Sequence, residues 1–213
     1  MSKRYTGGVI SSSLPSVTAA GASGLFTLNQ QSDAQSQNKW PPYKVKQSLR
    51  FRAAGSAYLN RTPASAGNRK IWTWSAWVKR GTLGVMDCAL LAAQTDANNR
   101  FYARWESSDA LYIYFNVSGT AYDSATSMVF RDQAWYHIVI AVDTTQATNT
   151  NRLKVYVNGV QQTLGTYSVP NQNTDTQWNN TVSQLIGKKD TANNFFDGYL
   201  AEVYNIDGQA LTP

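Results

Sequence analysis

The sequence predicts an all-β chain, with two antiparallel sheets packed face to face behind an extended N-terminal arm. Two observations carry this expectation. From Val45 onward, short runs alternate apolar and polar residues with period 2, and turn residues separate them. No stretch of ten residues has a convincing apolar stripe at helical spacing. Many short strands without helices or an internal repeat call for two packed sheets rather than a propeller or solenoid.

The first 42 residues read differently. They are rich in Ser, Gly, Ala and Gln and hold no steady period, and Pro41-Pro42 closes the segment. The domain division expected is therefore an arm over residues 1–42 and a sandwich over 43–213. Leu14, Leu25, Phe26, Leu28 and Trp40 stand out in the arm as apolar anchors. Alone, such a segment buries too little apolar area to offset the entropy of ordering it. It is expected to be held by a partner or by the sandwich.

Each strand has its own signal. Ser48–Arg52 places Leu49 and Phe51 on one face. Trp72–Lys79 turns Trp72, Trp74, Ala76 and Val78 inward. Leu111–Val117 alternates Leu, Ile, Phe and Val against Tyr112, Tyr114 and Asn116. Trp135–Asp143 is apolar on both faces, which suggests a central strand covered on both sides. Leu153–Val157 runs into Asn158-Gly159, a pair suited to the hairpin turn that needs two positive φ angles. Val160–Thr163 is then the return strand, and Gln184–Gly187 and Tyr199–Tyr204 supply further strands.

Composition narrows the function classes. Charged residues are 15% of the chain, against ~25% in an average domain. Seven Trp, twelve Tyr and seven Phe are ample for a packed core. One cysteine excludes an internal disulfide, and one cysteine with one histidine excludes a thiolate zinc site. No run approaches ~18 apolar residues, so no membrane insertion is expected. The net charge of +6 is split, with 14 Lys+Arg and 3 acids in residues 1–104 against 5 and 10 in residues 105–213. The reading preferred is that basic strands of one half meet acidic strands of the other. A nucleic-acid partner is not expected.

The set "AWYHIVIAVD" (134–143), "LKVYVNGV" (153–160) and "FFDGYLAEVYNIDGQAL" (195–211) resembles the laminin-G-like/pentraxin-like domains of the concanavalin A type. With "SLRF" (48–51), "AYLNRTP" (57–63) and "WTWSAWVKRG" (72–81), it resembles such domains in tailed-bacteriophage virion structural proteins. The resemblance covers roughly residues 46–213. It implies a jelly-roll sandwich and a fibre, tail or capsid-attached virion protein, localised to the particle. The arm would anchor it to other virion proteins in a homo-oligomer. The alternative is a carbohydrate-binding adhesion module for a host-surface glycan, and the remote one a glycan hydrolase.

An enzyme is not expected. A glycosidase needs two carboxylates across a cleft, and the only glutamates, Glu106 and Glu202, are far apart in sequence. A Ser or Cys nucleophile needs a base, and His137, the only histidine, sits in an apolar strand where a bond to a neighbour is expected. The resemblance also implies calcium at one rim as a candidate cofactor, with Asp96, Asp175 and Asp190 as candidate ligands, since that ion takes hard oxygen ligands. Glycan contact calls for exposed aromatic faces beside amides or carboxylates at the loop rim. Trp105, Tyr122, Asp123, Tyr167, Trp178 and Asn180 are expected to supply it, Trp178 foremost because its neighbours are polar on both sides.

Overall fold

The computed structural model describes residues 16–18, 21–23, 47–85, 88–189 and 194–213. The chain divides into two compact units, Met1–Lys46 and Gln47–Pro213. In the first, β1 (Ser16–Thr18) pairs antiparallel with β2 (Gly21–Ser23). The anchor candidates Leu14, Leu25, Phe26, Leu28 and Trp40 lie outside the described residues.

The second unit is a two-sheet antiparallel jelly-roll sandwich. Its strands are β3 (Leu49–Phe51), β4 (Leu59–Arg61), β5 (Ile71–Arg80), β6 (Cys88–Asp96), β7 (Asn99–Trp105), β8 (Ala110–Val117) and β9 (Thr120–Val129). They continue with β10 (Trp135–Asp143), β11 (Leu153–Val157), β12 (Val160–Gln161), β13 (Leu164–Tyr167), β14 (Gln184–Ile186) and β15 (Gly198–Asp207). One sheet has the order β12-β11-β10-β5-β15-β3, and the other β13-β9-β8-β7-β6-β14-β4. Among the described residues no helix is long and apolar enough to cross a membrane.

The core lies between the sheets and follows the alternation of the strands. Trp72, Trp74, Ala76 and Val78 of β5 are fully buried, as are Leu111 and Ile113 of β8. Trp72 meets the rings of Phe101 and Trp178, at centroid separations of 5.1 and 6.1 Å. Offset and edge-on aromatic pairs of this kind add to area burial. Strand β10 is interior to its sheet, between β5 and β11. Its outward residues Val139 and Ala141 are buried too. Part of that outer face is crossed by the C-terminal segment, where the Thr73 hydroxyl donates to the Gln209 carbonyl and accepts from the Leu211 amide.

Turn chemistry fixes the register. Asn158 and Gly159 adopt φ of 51° and 80° between β11 and β12, the mirror-image turn that suits the twist of a hairpin. Ser118 and Gly119 do the same between β8 and β9. One strand reading is corrected. The return strand stops at Gln161, because the chain then crosses to the other sheet as β13. Leu49 is 49% exposed although Phe51 is 2% exposed, since Leu49 starts an edge strand at the rim.

The split of charge is resolved partly within the sandwich. Arg50 pairs with Asp197 at 3.2 Å and Arg80 with Asp109 at 2.8 Å. Burial alone would raise the Asp109 carboxyl, but the Gly84 amide and the Arg80 guanidinium outweigh it and hold it below the usual carboxylate range.

Candidate functional site

The outer face of the seven-stranded sheet carries a strip of tyrosines set among cations. Phe101, Ala103 and Trp105 of β7 point into the core, so Arg100, Tyr102 and Arg104 point out. On β8, Leu111, Ile113 and Phe115 point in, and Tyr112, Tyr114 and Asn116 point out. Register then places Arg104 beside Tyr112, Tyr102 beside Tyr114, and Arg100 beside Asn116. The row through Tyr102 continues to Ala92 and Leu185 on one side and to Asp123, opposite Tyr114, on the other.

The rings form one cluster. Tyr102 and Tyr114 stack at 4.7 Å, and Tyr112 and Tyr114 lie within 19° of parallel at 6.3 Å. Cations clamp them. Arg104 sits 4.9 Å from the Tyr112 centroid and 5.3 Å from that of Tyr102. Lys189 lies over Tyr102 at 4.8 Å and Arg100 over Tyr114 at 5.2 Å. A cation over a ring face is attracted by the ring quadrupole, so each plate is held in place. Arg104 is also tied to Glu106 at 2.8 Å. Tyr102 is 6% exposed, while Tyr112 and Tyr114 are half-buried and offer open surface.

Burial, with the Asp123 charge secondary, pushes the Tyr112 hydroxyl up to about 12, and burial likewise raises that of Tyr102. Both remain protonated donors at neutral pH. Two polar atoms at one end of the strip are buried without a hydrogen-bond partner among the described residues: Arg100 Nε and Asn116 Oδ1. Flat aromatic surface, hydroxyl and amide donors, and charged groups at its edges suit a polar ring-shaped ligand with one apolar face.

The residues expected to bind glycan meet different fates. Trp105 is fully buried, against Phe130 and under the Arg80 guanidinium. This corrects its placing at the rim, because period 2 along β7 turns it inward with Phe101 and Ala103. Trp178 is corrected too. It is 3% exposed, and its indole Nε1 donates to Asn205 Oδ1 at 2.8 Å. Its polar neighbours misled because they are themselves satisfied. Thr176 bonds the Arg69 carbonyl, Asn179 bonds the Asn68 carbonyl, and Gln177 accepts from Asn180. Tyr122 is half-buried against the core, and Asn180 closes its own turn to Thr181.

Asp123 alone of that set borders the tyrosine strip. Tyr167 lies elsewhere, in a groove of about 490 Å³ with Lys154, Gln161 and Gln162. There its hydroxyl donates to the Asn149 carbonyl.

The strip was missed although its signal was in the sequence. The alternation in Leu111–Val117 already sets Tyr112 and Tyr114 on the polar side, and Arg100–Trp105 alternates the same way. For calcium, the Asp96 carboxylate is engaged by the Asn98 amide and the Asn99 side chain, Asp175 is exposed, and Asp190 lies outside the described residues. Among the described residues no three His, Cys, Asp or Glu side chains gather to hold a metal. His137 bonds Ser75 Oγ through Nε2 at 2.9 Å, as a strand histidine was expected to do.

A family model described as "Concanavalin A-like lectin/glucanases superfamily" matches residues 53–213. No curated protein matches the sequence significantly. Among solved structures, the chain is similar to a native heptameric SAP-like pentraxin from Limulus polyphemus, with TM-score 0.51 and 16% identity over 73% of this chain and 71% of that one. It is similar to domain 4 of AbnA, a GH43 extracellular arabinanase from Geobacillus stearothermophilus in complex with arabinotriose, with TM-score 0.53 and 19% identity over 78% and 83%. It is also similar to domains LG4-5 of the mouse laminin alpha1 chain, with TM-score 0.55 and 10% identity over 80% of this chain and 44% of that chain. These likenesses concern the fold.

Proposed function

The chain belongs to the concanavalin A-like lectin/glucanases superfamily, and on that premise we propose that it is a carbohydrate-binding module whose ligand lies along the tyrosine strip. The observation that carries this reading is the near-parallel pair Tyr112 and Tyr114, half-open and backed by clamped Tyr102. The apolar face of a sugar ring lies against such plates. Its hydroxyls bond the tyrosine hydroxyls and the Asp123 carboxylate at the edge. The plates are held before the ligand arrives, so little ordering is lost on binding. The arabinanase domain, similar in fold, was solved with a bound oligosaccharide, which supports carbohydrate as the ligand class.

Binding without cleavage is the reading. Glu106 follows β7 of one sheet and is tied to Arg104, whereas Glu202 lies in β15 of the other sheet and accepts from the Tyr204 hydroxyl. Tyr112→Ala and Tyr114→Ala should each weaken oligosaccharide affinity by about tenfold, equivalent to about 1.4 kcal/mol, with far-UV circular dichroism unchanged. Undiminished affinity in the folded double variant would remove the strip from the function.

The sequence resemblance to tailed-bacteriophage virion proteins supplies the setting. In it the sandwich is displayed on a particle for host-surface glycan, and the arm over residues 1–42 anchors it to other virion proteins. Deleting residues 1–40 should then leave a folded sandwich that is missing from purified particles. Normal incorporation of that truncation would overturn the anchoring role.

A further inference from the structure

We infer that the sugar taken by the tyrosine strip carries an anionic substituent, seated at the Arg100–Asn116 end. This rests on the carbohydrate reading above and adds the class of ligand. The charged groups of the strip are not equivalent. Arg104 is neutralised by Glu106. The Arg100 side chain forms no ion pair and no hydrogen bond among the described residues, and its Nε is buried without a partner. Its guanidinium lies over the Tyr114 ring, 5.2 Å from the centroid. Across from it on β8, Asn116 is 7% exposed, with Nδ2 occupied by the Ala97 carbonyl and the Tyr114 hydroxyl. Its Oδ1 has no partner.

An uncommitted donor fork and an uncommitted acceptor therefore stand side by side at one end of the stacking surface. Buried polar groups are rarely left so. A planar guanidinium matches the geometry of a carboxylate, and also meets sulfate or phosphate oxygens. The neighbouring Asn116 oxygen takes a hydroxyl of the same sugar. Asp123, an acid facing the strip, is on β9, two strands across and two residues along from Arg100 and so about 12 Å away. It leaves the Arg100 end positive.

The test is a glycan array read with the full chain and with Arg100→Gln, Asn116→Ala and Tyr112→Ala variants checked for folding. The array carries matched neutral, uronate-bearing, sialylated, sulfated and phosphorylated oligosaccharides. Acidic glycans should be retained over their neutral counterparts, with affinity falling tenfold or more in Arg100→Gln and falling with added salt. The carboxylated, sulfated and phosphorylated sets identify which anion is read. Equal binding of neutral glycans, unchanged in Arg100→Gln but lost in Tyr112→Ala, would overturn the anionic class and leave the carbohydrate reading standing. Absence of binding to any glycan would overturn both.

Discussion

Trp178 and Tyr112 are both aromatic, yet their exposure assigns them opposite roles. Trp178 fills the core against Trp72 and Phe101 and anchors Asn205. Trp178→Ala should cost about 3–5 kcal/mol of stability, read as a lower denaturant midpoint, and lower glycan binding only through unfolding. Asp109 offers a second test at this scale. Its folded carboxyl holds a proton less tightly than the unfolded one, so as pH falls the unfolded chain takes up the proton first. The stability it contributes is present at neutral pH and is lost as pH falls through and below the ordinary carboxylate range. Asp109→Asn should remove this acid limb of the stability profile and lower stability at pH 7 by about 3–5 kcal/mol, because Arg80 is left buried without its partner. An unchanged acid limb in the variant would assign that limb to other carboxylates.

At the scale of elements, the strands were legible wherever side chains alternate between core and solvent. Trp72–Lys79 and Leu111–Val117 read correctly for that reason. The turn at Asn158-Gly159 was legible because its chemistry is local. The segment Thr176–Asn179 was not. Its residues are polar and buried, and their partners at Arg69, Asn68 and Asn205 come from distant parts of the chain. A sequence pattern scores polarity, not satisfaction.

The two glycine turns separate backbone strain from crowding. Gly159 has φ of 80° and open space where a Cβ would stand. Gly187 has φ of 81°, and a Cβ there would meet the Phe51 ring at 2.5 Å. Gly159→Ala should cost about 1–2 kcal/mol. Gly187→Ala should cost a further 1–3 kcal/mol or so from overpacking. Equal melting temperatures for the two variants would contradict this account.

For the whole molecule, the fold class was legible and the face proposed to bind was not. Two sheets follow from the patterning alone. Which rings share a face depends on how β7 and β8 are registered, and that lies in pairings no single strand announces. The expected rim site spread its residues over the core, a turn and a separate groove. The strip, by contrast, draws on two adjacent strands and Lys189. A protein of residues 47–213 contains every residue of the strip and should keep the glycan affinity of the full chain. Its loss in a cooperatively folding truncation, measured by calorimetry, would show that Met1–Lys46 takes part in the ligand site.

Strand order also governs how the protein is made. β5 carries Trp72 and Trp74, and its neighbours are β10 and β15. β3 and β4, early in the chain, find their partners only in β15 and β14. While the ribosome is still elongating, the emerging polypeptide holds an open β5 edge and two unpaired strands; β4 is closed once β14 has emerged, and β3 and the β5 edge only once β15 has. The sandwich therefore completes its six-stranded sheet only after β15 has been made.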